Sequence, residues 1–178
     1  SPRLDFIFGM DNQIKYNPQT ANPAFADGRA MRLPVTGTVP RGGLKEDDAY
    51  FRGQTDGFWT QELPVPLTEK LMARGQERFN IYCSPCHGLA GHGDGMTHQR
   101  ALELELPTWV PPANLHEDRI RNMPEGQIFN IITNGVRNMP ESGPQITEAD
   151  RWAIIAYVRA LQKSQGARLE DVPVEYQA

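Results

Sequence analysis

The sequence predicts an all-α domain preceded by a long extended arm with little regular structure. Three observations lead there. Apolar residues recur at helical spacing in three separate runs between residues 67 and 163. The run Cys83-Ser84-Pro85-Cys86-His87 closes the first of them, with no strand pattern before it. From residue 1 to residue 66 no helical period survives more than a turn, because Pro18, Pro23, Pro34, Pro40, Pro64 and Pro66 break it. The expected boundaries are therefore an arm over 1–66, a helical domain over 67–163 and a short acidic tail over 164–178.

The arm is not composed like a solvated linker. Phe6, Phe8, Phe25, Tyr50, Phe51, Phe58 and Trp59 give it too many aromatic groups. It is expected to lie on something, either its own domain or a partner, and docking on partner subunits is the role assigned to it. The first helix starts at Thr68, a good N-cap, with Leu67 and Met72 placed to form a hydrophobic staple. Leu71, Gly75, Phe79 and Tyr82 share one of its faces. The second runs from about Pro124, a favoured first position, through Ile128, Phe129, Ile131 and Ile132 to a stop at Gly135. The third opens at Thr147 and carries Trp152, Ile155, Ala156, Val158 and Leu161, with Asp150 near its positive end.

Composition narrows the function classes. The 18 Lys and Arg against 22 Asp and Glu leave a net charge of -4, spread evenly along the chain. That excludes a basic nucleic-acid face. No apolar run approaches the roughly 20 residues that span a bilayer. Ser1-Pro2-Arg3 opens without an apolar core, so the sequence reads as a mature product. The two cysteines, Cys83 and Cys86, are too few and too close for a disulfide framework and form one local site.

C-x-x-C-H is the attachment signature of covalent haem c. Two thiols at this spacing add to two vinyl groups of one porphyrin, and the adjacent His87 reaches the iron from one face. A thioredoxin-like dithiol would place the motif at a helix start after a strand. A zinc site would need His92, His98 or His116 as a fourth ligand, and lacks a second closely spaced pair. A local Cys83–Cys86 disulfide is the plainest alternative. The haem reading requires a second axial ligand. Of the six methionines, Met10 and Met31 belong to the arm, Met72 to the first helix, and Met96 follows the motif too closely. Met123 and Met139 remain, each followed by proline. Met139, in the loop beyond Gly135, is the expected ligand, and Met123 an apolar contact at a helix start. His116 is the rival, with His92 and His98 expected to face solvent. The free ring nitrogen of His87 is expected to donate to a carbonyl between Gly88 and Pro112, with Pro107 and Pro111 preferred.

These residues resemble the class I cytochrome c fold, in which a helix with glycine and an aromatic residue one turn apart crosses a C-terminal aromatic helix. Gly75 and Phe79 match the first helix, and Trp152, Tyr157 and Leu161 the second, with Tyr157 expected over Gly75. The run Gly88, Gly91, Gly93-Asp94-Gly95 is similar to the loop of bacterial members. A narrower resemblance covers nearly the whole chain. The segments Asp27 to Gly42, Arg119 to Pro124 and Ile132 to Pro140 resemble the monohaem cytochrome c subunit of alternative complex III. That family implies one haem c on Cys83, Cys86, His87 and Met139, and a place in a membrane complex that oxidises quinol and passes electrons to a periplasmic acceptor. It implies a position on the periplasmic face of the bacterial cytoplasmic membrane, with other subunits as partners. It also implies a lipoprotein anchored through an acylated cysteine, which would have to lie upstream of Ser1. The expected role is an electron carrier rather than an enzyme in its own right. The alternatives are a freely diffusing periplasmic carrier and a haem enzyme with an open distal site.

Overall fold

The computed structural model describes residues 13–41 and 43–176. The chain divides into two compact units, Ser1–Leu44 and Lys45–Ala178. Phe6, Phe8 and Met10 of the expected arm lie outside the described residues.

In the first unit the described chain is irregular. One turn stands out, closed by an isolated antiparallel bridge between Ala21 and Arg29. Asn22 is buried inside it and accepts a hydrogen bond from the Ala24 amide through its side chain (2.9 Å). Arg32 pairs with Asp27 at 2.6 Å and lies 4.2 Å over the Phe25 ring.

The second unit holds the core. Its elements in order are α1 (Asp48–Arg52), β1 (Gln54–Thr55), β2 (Phe58–Trp59), α2 (Glu69–Tyr82), α3 (Ser84–His87), α4 (Met96–Glu103), α5 (Asp118–Arg121), α6 (Glu125–Asn134) and α7 (Glu148–Ser164). Two 3-10 turns follow, Leu169–Asp171 and Val174–Tyr176. The strands pair antiparallel, Gln54 with Trp59 and Thr55 with Phe58.

Caps define the long helices. The Thr68 hydroxyl accepts from Leu71 N at the start of α2, and Thr147 does the same for Asp150 N at the start of α7. Gly135 ends α6 in a positive-φ conformation, its amide bonded to Ile131 O. Pro124 stands one position earlier than expected, as the N-cap of α6 rather than its first residue. Leu67, expected to staple against Met72, is 65% exposed.

α2 crosses α7 at Gly75. A Cβ there would fall on the Ala153 carbonyl and 2.9 Å from Tyr157 Cβ, so only glycine admits this approach. Around the crossing, Phe79, Phe129, Ile146, Trp152, Ile154 and Ile155 are fully buried. Phe129 and Trp152 stack at 4.4 Å between centroids. The Arg74 guanidinium forks onto Asp150 at 2.7 and 3.1 Å, tying α2 to the first turn of α7.

The expected arm–domain boundary at 66/67 needs correction. The compact unit begins at Lys45. Residues 45–66 are built into it because their backbone supplies acceptors that the helices lack. Trp152 Nε1 donates to Tyr50 O at 2.8 Å, and Gly126 N donates to Thr60 O at 3.0 Å. Tyr50, Leu63 and Val65 pack against the core. Tyr50 therefore covers its own domain, with Phe51 edge-on against it at 4.9 Å, whereas Phe58 is exposed. The β1–β2 ribbon adds a small strand pair to an otherwise helical unit.

Candidate functional site

Cys83 sits where α2 ends and α3 begins, capping both. Pro85 occupies the first turn of α3, where its missing amide hydrogen costs nothing. This single turn brings Cys86 and His87 onto the side of Cys83. His87 N and Cys86 N both donate to Cys83 O, at 2.8 and 3.2 Å.

The loop after the motif folds back beneath it. Gly93 N donates to His87 O (2.8 Å), and Leu115 N to Gly91 O (2.8 Å). Gly93 has φ +83, and a Cβ on it would lie 2.5 Å from Pro112 O, so its glycine identity lets residues 112–115 run beside the histidine. His87 Nδ1 donates to Ala113 O at 3.0 Å. The acceptor thus lies just past the expected 88–112 stretch. Pro107 and Pro111 do not provide it, because their segment turns towards α4 instead. There Leu106 N bonds to Ala101 O, and Trp109 Nε1 donates to His98 Nδ1 at 2.9 Å.

Cys83, Cys86 and His87 open onto a cavity of about 220 Å³. Phe79, Leu115, Ile120, Ile128, Ile132, Ile154 and Val158 make its wall apolar, drawing on α2, α5, α6 and α7. Met123 and Met139 both line it. Met139 is held in a tight turn, with Val136 N bonded to Met139 O at 3.0 Å and Met139 N to Val136 O at 2.9 Å. Met123 is also packed against the main core, and the Arg159 guanidinium holds its carbonyl.

His116 is not in this wall. Its Nε2 faces Ala90 O at 2.7 Å and its ring lies 4.8 Å from that of His92. His92 is exposed as expected, whereas His98 is half-buried against Trp109. Among the described residues no group of three His, Cys, Asp or Glu is placed to hold a metal ion. Neither cysteine is in a disulfide.

Electrostatics suit a bound macrocycle. Burial lowers the His87 pKa, against the pull of the Ala113 carbonyl, and keeps the imidazole neutral as metal ligation requires. With Nδ1 engaged, Nε2 is the nitrogen free for iron. Burial, helped by neighbouring Cys86, pushes the Cys83 thiol up to about 12, so it sits in the cavity as an apolar, un-ionised group. An apolar cavity, two thiols on one edge, a fixed imidazole and two thioethers on its wall fit haem c. Sequence reasoning missed the supporting residues: Ala113, and the Arg159 and Gln162 side chains that hold the carbonyls of Met123 and Leu115. An arginine and a glutamine late in an amphipathic helix carry no sequence signal for that task.

The protein-family comparison agrees. The family model described as cytochrome c oxidase, cbb3-type, subunit III matches residues 70–158, half of the chain. A curated relative, the cytochrome bc1 complex cytochrome c subunit of Corynebacterium diphtheriae, is 26% identical over 94 residues. That match covers 52% of this chain and 28% of the relative. Among solved structures, the reducing HAO-like protein complex of Kuenenia stuttgartiensis is similar at 20% identity and a TM-score of 0.45, over 64% of this chain and 54% of that one.

Proposed function

The chain belongs to the cytochrome c oxidase, cbb3-type, subunit III family, and from that membership we propose that it is the monohaem electron-relay subunit of a quinol-oxidising membrane complex. It is a class I c-type cytochrome and carries covalent haem c, whose attachment motif Cys83 and Cys86 fit. Bound haem supplies one-electron cycling between ferric and ferrous iron. The chain's own residues fix where that happens. Cys83 and Cys86 would anchor the haem through two thioether bonds, His87, its ring oriented by Ala113 O, would supply one iron ligand, and Met139 would supply the other through its sulfur.

One observation carries this reading: His87 and Met139 line a single apolar cavity in which no other histidine takes part among the described residues. With both side chains on the iron, small molecules would be shut out, and the site would transfer electrons without making a substrate bond. A Met/His pair raises the potential above that of a bis-histidine pair. Membership of a respiratory complex is supported by the name of the bc1 relative. Resemblance of residues 27–42, 119–124 and 132–140 to the alternative complex III subunit favours that complex, placed on the periplasmic face of the cytoplasmic membrane. Among the described residues no helix is long and apolar enough to cross a membrane.

The test is optical. Met139→Ala should abolish the sulfur-to-iron charge-transfer band of the ferric protein, and Met123→Leu should leave it. The reverse pattern would assign the ligand to Met123, which shares the same wall. Carbon monoxide binding by the reduced wild-type protein would overturn the closed site. Copurification with integral membrane subunits separates a complex subunit from a freely diffusing carrier.

A further inference from the structure

We propose that Arg119 receives a haem propionate at the mouth of the cavity and thereby helps to set the reduction potential. The inference rests on the reading that this cavity holds haem. Arg119 is the only charged side chain among the described residues of an otherwise apolar wall, apart from the titratable motif itself. Its side chain is 60% exposed, which puts the guanidinium at the rim rather than inside.

The guanidinium is also oriented. Its Nε donates to Glu117 Oε2 at 2.7 Å. Glu117 caps α5, where its carbonyl accepts from Ile120 N and Arg121 N at 2.8 and 2.9 Å. The pair is thus fastened to a helical turn whose Ile120 is itself part of the wall. Both Nη groups of Arg119 are left without a partner among the described residues, so a planar fork of donors remains open.

Haem brings the complementary group. Its two propionates are ionised at neutral pH and sit on the half of the ring away from the thioether-forming vinyl groups. A carboxylate cannot stay in the apolar interior without a large desolvation cost, so it has to emerge at the rim. There a forked guanidinium is the strongest carboxylate partner a protein offers. A cation held on the propionate disfavours ferric iron and raises the potential.

The experiment compares the full haem-loaded chain with its Arg119→Gln and Arg119→Lys variants by resonance Raman spectroscopy and redox titration. Arg119→Gln should shift the propionate bending mode. It should also change the ferric-to-ferrous ratio at fixed potential by about tenfold towards ferric, which is 59 mV for one electron. Arg119→Lys should keep most of the potential but still move the bending mode, because the charge stays and the fork goes. An unmoved propionate mode in Arg119→Gln overturns the inference and leaves Arg119 a surface partner of Glu117. A wild-type protein without covalent haem would instead take down the cofactor reading and this inference together, and the haem content of the wild type tells the two failures apart.

Discussion

Gly75 shows how one residue sets the scaffold of the site. Any side chain there would meet the Ala153 carbonyl and Tyr157 Cβ across the α2–α7 crossing. Gly75→Val should therefore destabilise the protein by about 1–3 kcal/mol through overpacking. A denaturant titration with an unchanged midpoint would show that the helices do not cross at this point. The role of Gly75 was legible in the sequence, because glycine on the apolar face of a helix has few reasons to be there except close approach. The acceptor for His87 was less legible. Which carbonyl faces Nδ1 depends on how residues 88–115 reverse direction, and that is decided by Gly93 against Pro112 rather than by the rigidity of Pro107 or Pro111.

At the scale of elements, the Arg74–Asp150 fork ties α2 to α7 and makes the crossing sensitive to acid. Arg74 holds the Asp150 carboxyl below the usual carboxylate range, mainly by hydrogen bonding, with burial opposing it. A depressed folded pKa contributes stability that is present above the unfolded value of about 4 and is lost as pH falls through the folded value. Asp150→Asn should thus cost about 1 kcal/mol near neutrality, a value discounted for the exposure of Arg74. The gap to wild type should close as the pH drops below 4, and a gap that persists undiminished there would rule out this pairing. The three long helices were legible because each combines a cap with an apolar period. α3 and α5 are four residues each, too short for any period to register. The β1–β2 ribbon did leave a signal. Asp56-Gly57 is a two-residue hairpin turn with both φ values positive (51° and 80°), hidden in the sequence by the proline and glycine density around it.

For the whole molecule, the start of the compact unit at Lys45 makes a sharp expectation. A chain begun at Lys45 should melt like the full protein, since its core is complete. A chain begun at Leu67 should lose about 2 kcal/mol or more, because Tyr50, Leu63 and Val65 no longer cover the core. Equal melting temperatures for the two truncations would restore the boundary at 66/67. Proline and glycine density misplaced that boundary, since backbone acceptors such as Tyr50 O and Thr60 O contribute to a fold without any regular period. The segment between α6 and α7 has a consequence of its own. It is fastened before and after Met139: Ser142 N bonds to Ile132 O at 3.0 Å and Gly143 N to Thr133 O at 3.1 Å. The buried Arg151 then bridges Thr133 Oγ1 and Ile146 O, at 2.6 and 2.9 Å. With the proposed thioether ligand carried on a segment so tethered, bound iron would have surroundings with little freedom to rearrange when an electron arrives or leaves. The inner-sphere reorganisation energy would then be small, and the speed of electron hopping would be left to distance and driving force rather than to motion of the protein.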